Sequence, residues 1–151
     1  MAEPGVRQRV VLAEDHAAVA EQLRGLLATE YEIVETVGDG RALVETVKAL
    51  APDVIVADVG MPVMDGLAAA RAILDEQPAA RIVFVTVRDE PTVIRHALSL
   101  GALAYVIKAD AGEELVPAVR SSLGGRRFLS ASAQAVLRDQ ALRAIDLGEG
   151  T

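Results

Sequence analysis

Two hydrophobic patterns alternate along the chain: short unbroken apolar runs, and longer stretches in which apolar residues return every three or four positions. The first marks strands covered on both faces and the second marks amphipathic helices. Runs at 9–13, 54–58, 81–85 and 104–107 are predicted strands. The segment 31–37 alternates only in part and is weaker in apolar content, as suits the edge of a sheet. Between them, helical stripes run through Val19, Leu23, Leu26 and Leu27 (16–29), Leu43, Val44, Val47 and Leu50 (41–50), and Leu67, Ala70, Ile73 and Leu74 (66–77). Further helices are predicted at 91–100 and 113–123. The punctuation agrees: Pro52 ends one helix, Asp65 caps the next, Pro91 suits a first turn and Gly101 a last one. Glu113 and Glu114 match the positive end of a helix dipole. Five strands, each followed by a helix, predict a parallel sheet covered on both faces through right-handed crossovers.

Polar residues at the strand ends constrain the strand order. The first strand ends in Glu14-Asp15, the third in Asp58, the fourth in Thr86 and the fifth in Lys108, whereas the second ends in Val37-Gly38. Placing the second strand outermost brings the polar groups to one cleft. This is the α/β, flavodoxin-like, doubly wound order 2-1-3-4-5, whose ligand site lies at the carboxyl ends of the strands.

The stretch Val54-Ile-Val-Ala-Asp58-Val-Gly-Met-Pro62-Val-Met-Asp-Gly66 organises this cleft. Its apolar run delivers Asp58 to the mouth of a loop that Gly60 and Pro62 keep from continuing as strand. Composition removes several alternatives. A net charge of −7 with no basic run beyond Arg126-Arg127 argues against a nucleic-acid groove on this polypeptide, and four scattered aromatics offer no stacking platform. The absence of cysteine excludes disulfides and thiolate chemistry, and His16 and His96 are too far apart in sequence to suggest zinc. Nothing reaches membrane-spanning length and no targeting segment opens the chain, so a soluble, cytoplasmic protein is expected. The 151 residues suffice for one domain and a short appendage.

Carboxylates about 4 Å apart repel by roughly 4 kcal/mol per pair at an effective dielectric of about 20, so the cleft needs positive charge. A hard divalent cation, Mg²⁺, suits an all-oxygen set, and Lys108 supplies a fixed ammonium for Asp58 or for an oxyanion attached to it. Thr86 adds a hydroxyl donor. An acidic nucleophile, a metal, a lysine and a hydroxyl together point to receipt of a phosphoryl group. A glycine at position 60 leaves a backbone carbonyl free to face the metal.

Glu14-Asp15, Asp58 with its Met-Pro-Val-Met-Asp-Gly loop, Thr86, Tyr105 and Lys108 resemble the receiver domain of bacterial two-component response regulators over residues 9 to about 123. The resemblance implies a CheY-like fold in which Asp58 accepts phosphate from a sensor histidine kinase or a small phosphodonor. It implies that Asp15 ligates Mg²⁺ directly, Glu14 mostly through water, and that Asp58 and the Gly60 carbonyl complete the set. Thr86 and Tyr105 correspond to the family's switch pair, the ring turning inward behind the hydroxyl, and Lys108 to the residue that binds phosphoryl oxygens. The face formed by helix 91–100, strand 104–107 and the following helix is then the one that changes, through homodimerisation or partner docking. Such a chain is a signalling domain rather than an enzyme, its only turnover being phosphoryl transfer to and hydrolysis from Asp58. Ala109 stands where the family often has proline.

Ser122-Leu-Gly-Gly-Arg-Arg-Phe-Leu-Ser130 resembles the linker of NarL/FixJ-type (LuxR-type) transcription regulators, in which a helix-turn-helix domain follows. The expected organisation is a tail at 1–8, the receiver at 9–124, and a linker at 125–151. That linker carries an amphipathic helix at 132–147 with Val136, Leu137, Ala141, Ala144 and Ile145 on one side, and the DNA-binding domain is expected to be absent from this chain. A fragment of a longer regulator is favoured over a stand-alone receiver, and a phosphorylation-independent pseudo-receiver acting as an interaction module is the alternative. Two rival classes fit less well. A haloacid-dehalogenase-type phosphatase needs a second acid where Gly60 stands, and a dinucleotide binder needs glycines where Glu14-Asp15-His16 stands.

Overall fold

The computed structural model describes residues 6–146; positions 1–5 of the expected tail and the expected chain end from 147 onward lie outside the described residues. The elements are β1 (Arg9–Ala13), α1 (Ala17–Leu27), β2 (Glu32–Val37), α2 (Gly40–Leu50), β3 (Val54–Ala57), α3 (Gly66–Glu76), β4 (Ile82–Thr86), α4 (Pro91–Leu100), β5 (Ala104–Ile107), α5 (Ala111–Leu123), β6 (Phe128–Leu129) and α6 (Ala131–Asp146). The sheet runs β2-β1-β3-β4-β5-β6 with every neighbouring pair parallel.

Alternate residues of the central strands feed two separate cores, which is why the runs carry no polar alternation. Val11, Ala13, Ile55, Ala57, Ile82, Phe84 and Tyr105 face Leu43 and Val47 of α2, Ala69, Ala70 and Ile73 of α3, and Ile94 and Ala97 of α4. Val10, Leu12, Val54, Val56, Val83, Val85, Ala104 and Val106 face Leu23 and Leu27 of α1 and Leu115, Ala118 and Val119 of α5. Each buried aliphatic side chain contributes about 1.5–3 kcal/mol relative to exposure. β2 is only half-buried, in keeping with its place at the sheet edge. Asp39 and Asp65 cap α2 and α3 by accepting from Ala42 N and Ala68 N, both at 2.8 Å. Gly101 ends α4 in the left-handed region at φ 115°.

Three local expectations change. The sheet has six strands rather than five: Phe128 N donates to Leu103 O at 2.9 Å and Ser130 N to Tyr105 O at 3.0 Å, placing a two-residue strand on the outer edge of β5. Two residues are too few to carry a periodic signal. α5 begins at Ala111, two residues before the predicted start, because a 3-10 turn over Lys108–Asp110 leads into it. Finally, α6 docks against α4 and β5 with a rotated face. Ala133 is fully buried, Val136 and Leu137 pack on the α2–α3–α4 core, and Ala141 and Ile145 of the predicted stripe point to solvent. Its inward positions are 133, 136, 137, 140 and 144. No helix among the described residues is long and apolar enough to cross a membrane.

Candidate functional site

Glu14 and Asp15 follow β1, Asp58 follows β3, Thr86 closes β4 and Lys108 follows β5, so one sheet edge carries all of them. Ladder hydrogen bonds fix their backbones to the last residue. Asp58 N donates to Ala13 O at 3.0 Å and Glu14 N to Val37 O at 2.9 Å. Side-chain directions at the edge are thereby inherited from the sheet.

Lys108 is the centre of charge. Its Nζ lies 2.7 Å from Glu14 Oε1 and 2.8 Å from Asp58 Oδ2. Both carboxylates are almost completely buried, and the Lys108 side chain is only 16% exposed. Burial works to lower the Lys108 pKa, yet the hydrogen bonds and charges of Asp58 and Glu14 outweigh it and raise the value above that of a free lysine. The positive charge that the acids require is thus supplied from within the chain. Asp58 Oδ1 accepts a long bond, 3.3 Å, from Gly60 N.

His16 belongs to this edge, although its sequence position next to the acidic pair was the only signal for it. Its N–H donates to Glu14 Oε2 at 3.0 Å, and its Nδ1 stands 3.1 Å from that oxygen and 3.2 Å from Asp15 Oδ1. Ligating atoms of Glu14, Asp15 and His16 all lie within 4.8 Å of one another. His96, by contrast, is exposed on α4, away from the edge.

Thr86 and Tyr105 grip opposite sides of one residue. The buried Thr86 Oγ1 accepts from Arg88 N at 3.2 Å, and Tyr105 OH donates to Arg88 O at 2.7 Å. The Tyr105 ring lies fully inside, 6.3 Å from that of Phe84 at an interplanar angle of 52°. Burial, with a further contribution from the negative charge of Glu90, pushes its phenol pKa upward.

The loop after Asp58 is held by close backbone approaches. A Cβ at Gly66 would stand 2.0 Å from the Asp58 carbonyl oxygen, and one at Gly40 would stand 2.1 Å from Met64 O. Pro62, Val63 and Met64 form a γ-turn, with Met64 N donating to Pro62 O at 2.7 Å and Val63 at φ 67°. His16, Val19, Asp58, Gly60, Thr86, Val87, Arg88 and Lys108 line a cleft of about 290 Å³. A larger apolar groove of about 570 Å³ between α1 and α5 shares only Val19 and Lys108 with this cleft.

Residues 10–120 match the family described as the response regulator receiver domain, and the chain belongs to that family. Among curated relatives it is 35% identical over 131 residues to the transcriptional regulatory protein PdtaR of Mycobacterium tuberculosis, covering 86% of this chain and 63% of that protein. It is 34% identical over 126 residues to the probable transcriptional regulatory protein NarL of the same species, covering 82% of this chain and 58% of the relative. The chain therefore spans about six-tenths of the length of these relatives. A LuxR-family two-component response regulator from Aurantimonas sp. SI85-9A1 superposes with a TM-score of 0.86 at 29% identity, covering 91% of this chain and 99% of that one. The signal receiver domain of the putative response regulator NarL from M. tuberculosis gives 0.75 at 33% identity, covering 80% and 98%. These likenesses support a receiver of the NarL/FixJ type.

Proposed function

We propose that this receiver accepts a phosphoryl group on Asp58 from the phosphohistidine of a sensor kinase or from a small acyl phosphate. The observation that carries the reading is Lys108, bridging two buried carboxylates 2.7 and 2.8 Å away at the rim of a cleft that also contains Thr86. An Asp58 oxygen attacks phosphorus, the bond from phosphorus to the donor's imidazole nitrogen or acetate oxygen breaks, and the donor leaves with that electron pair. Lys108 follows the charge outward from Asp58 to the new phosphoryl oxygens, and the Thr86 hydroxyl donates to one of them. The cost of moving charge into the cleft is low because the ammonium is already in place.

Oxygen donors dominate the Glu14–Asp15–Asp58 edge, which fits a hard cation, and the partly exposed Asp15 carboxylate gives it an approach. Asp15, Glu14, Asp58 and the Gly60 carbonyl are the residues that would hold Mg²⁺. When bound, that ion neutralises charge on the transferring group. Within the protein the signal passes through Arg88, whose two backbone groups are held by the two expected switch residues, towards α4 and β5. Control of homodimerisation, or of a helix-turn-helix output domain in a longer polypeptide, follows from the NarL-type relationship. The cytoplasm, where such kinases expose their phosphohistidine, is the expected location.

Incubation with acetyl phosphate and Mg²⁺, followed by intact-mass measurement, tests the reading. One acid-stable, base-labile phosphate per chain is expected, and none in Asp58→Asn. Undiminished labelling of Asp58→Asn overturns the assignment, and an unlabelled wild-type chain favours a phosphorylation-independent pseudo-receiver.

A further inference from the structure

The first three N–H groups of a helix have no partner within it and must find one elsewhere. In α6 all three find side-chain partners: one on α5, one at the end of the turn that starts at Lys108, and one on the residue just before the helix. Ala131 N donates to Glu114 Oε2 at 3.0 Å, Ser132 N to Asp110 Oδ2 at 2.9 Å, and Ala133 N to Ser130 Oγ at 3.5 Å. The Ser132 hydroxyl adds a second bond to Asp110 at 2.9 Å. Ser130 is fully buried, and its Oγ also accepts at 3.1 Å from the N–H of Ile107, the residue before Lys108. Its own N–H donates to Tyr105 O at 3.0 Å. Lys108 and Asp110 are the two ends of a single 3-10 turn. Such a turn is short and tightly wound, and only Ala109 separates its two ends.

We propose that Ser130, Asp110 and Ser132 form a latch that positions Lys108 from the far side of β5, so that moving Lys108 off Glu14 and Asp58 loosens the first turn of α6 from β5 and α4. The trigger rests on the reading of Asp58 as phosphoryl acceptor; the link itself does not. α6 is suited to report because its hold is modest. Only Ala133 is fully buried, and its distal apolar residues Leu142 and Ile145 are 55% and 66% exposed. Loss of a cap bond therefore shifts a sizeable fraction of the population.

Hydrogen–deuterium exchange of the full chain, read on peptides covering 131–142 with β3 as internal control, tests the latch. In the wild type, Mg²⁺ with BeF₃⁻ is expected to speed exchange in α6 by about three- to tenfold, the worth of one hydrogen bond. β3 should stay unchanged. Asp110→Ala is expected to exchange fast at α6 without BeF₃⁻, to gain nothing on its addition, and still to take phosphate at Asp58 by intact mass. Ser132→Thr, which keeps both donors, should restore the wild-type response that Ser132→Ala loses. An α6 that ignores BeF₃⁻ in a wild-type chain proven to phosphorylate overturns the latch, as does an Asp110→Ala variant with the full wild-type response. If the chain takes no phosphate at all, the Asp58 reading fails and Lys108→Ala decides the link: faster α6 exchange upholds it, and unchanged exchange overturns it.

Discussion

At the scale of single residues, the site is a problem in charge placement solved by one ammonium. Lys108 holds two buried carboxylates that would otherwise repel each other, so Lys108→Ala leaves Glu14 buried without its counterion. Removing one partner of a buried pair costs about 3–5 kcal/mol, and the partial exposure of Lys108 reduces this to about 1–3 kcal/mol. A urea titration of the variant measures it. Because the Lys108 pKa is raised by folding, the pair's contribution is complete below the unfolded value of about 10.4 and is lost as pH climbs through the higher folded value. Stability of the wild type above pH 10 should therefore fall more steeply than that of Lys108→Ala. Val63 presents the opposite case. A β-branched residue at φ 67°, 76% exposed, gains little packing in return for its backbone strain. Val63→Asn should raise stability by about 1 kcal/mol with phosphate uptake unchanged, whereas Gly66→Ala, which drives a methyl into the Asp58 carbonyl, should lower both.

At the scale of elements, the strands and helices up to α5 were legible because each strand's apolar run and each helix's stripe met a matching surface. Asp58, Thr86 and Lys108 were legible for a related reason: a polar residue ending an apolar run lies at the sheet edge whatever the neighbours are. His16 and the Ser130–Asp110–Ser132 cluster were not, since each acts through a short polar side chain whose partner is distant in sequence or indistinguishable from turn punctuation. β6 escaped notice for want of length. On α6 the predicted positions Val136, Leu137 and Ala144 do face inward, but Ala133, its one fully buried residue, is too small to stand out, and Ala141 and Ile145 are exposed. This docking has a pH signature. Burial acts to raise the Asp110 pKa, but the bonds from Ser130 and Ser132 outweigh it and hold the carboxyl below the ordinary range. Its contribution is present above about pH 3.9 and lost as pH falls through the lower folded value. Protection of α6 amides, corrected for the intrinsic exchange rate, should therefore fall below about pH 4 ahead of that of the central strands.

At the scale of the whole molecule, two cores separated by one sheet give the edge its rigidity. Phe84 is fully buried in the core that α6 also joins, and Leu115 is fully buried in the other. Phe84→Ala and Leu115→Ala should cost about 3–5 and about 2–5 kcal/mol respectively in denaturant melts, and Phe84→Ala also removes the ring that packs against Tyr105. β6 covers the outer edge of β5 and α6 flanks α4, so both elements lie against the side of the sheet that carries Tyr105. The strand order places the acidic pair and Lys108 around one aspartate, Asp58, the proposed acceptor. Borohydride reduction of the chain after acetyl phosphate and Mg²⁺, with peptide sequencing, reads that aspartate directly, since an aspartyl phosphate is reduced to homoserine. Homoserine at position 58 alone is the predicted result; homoserine at Asp15 or another aspartate, with Asp58 intact, would contradict the account.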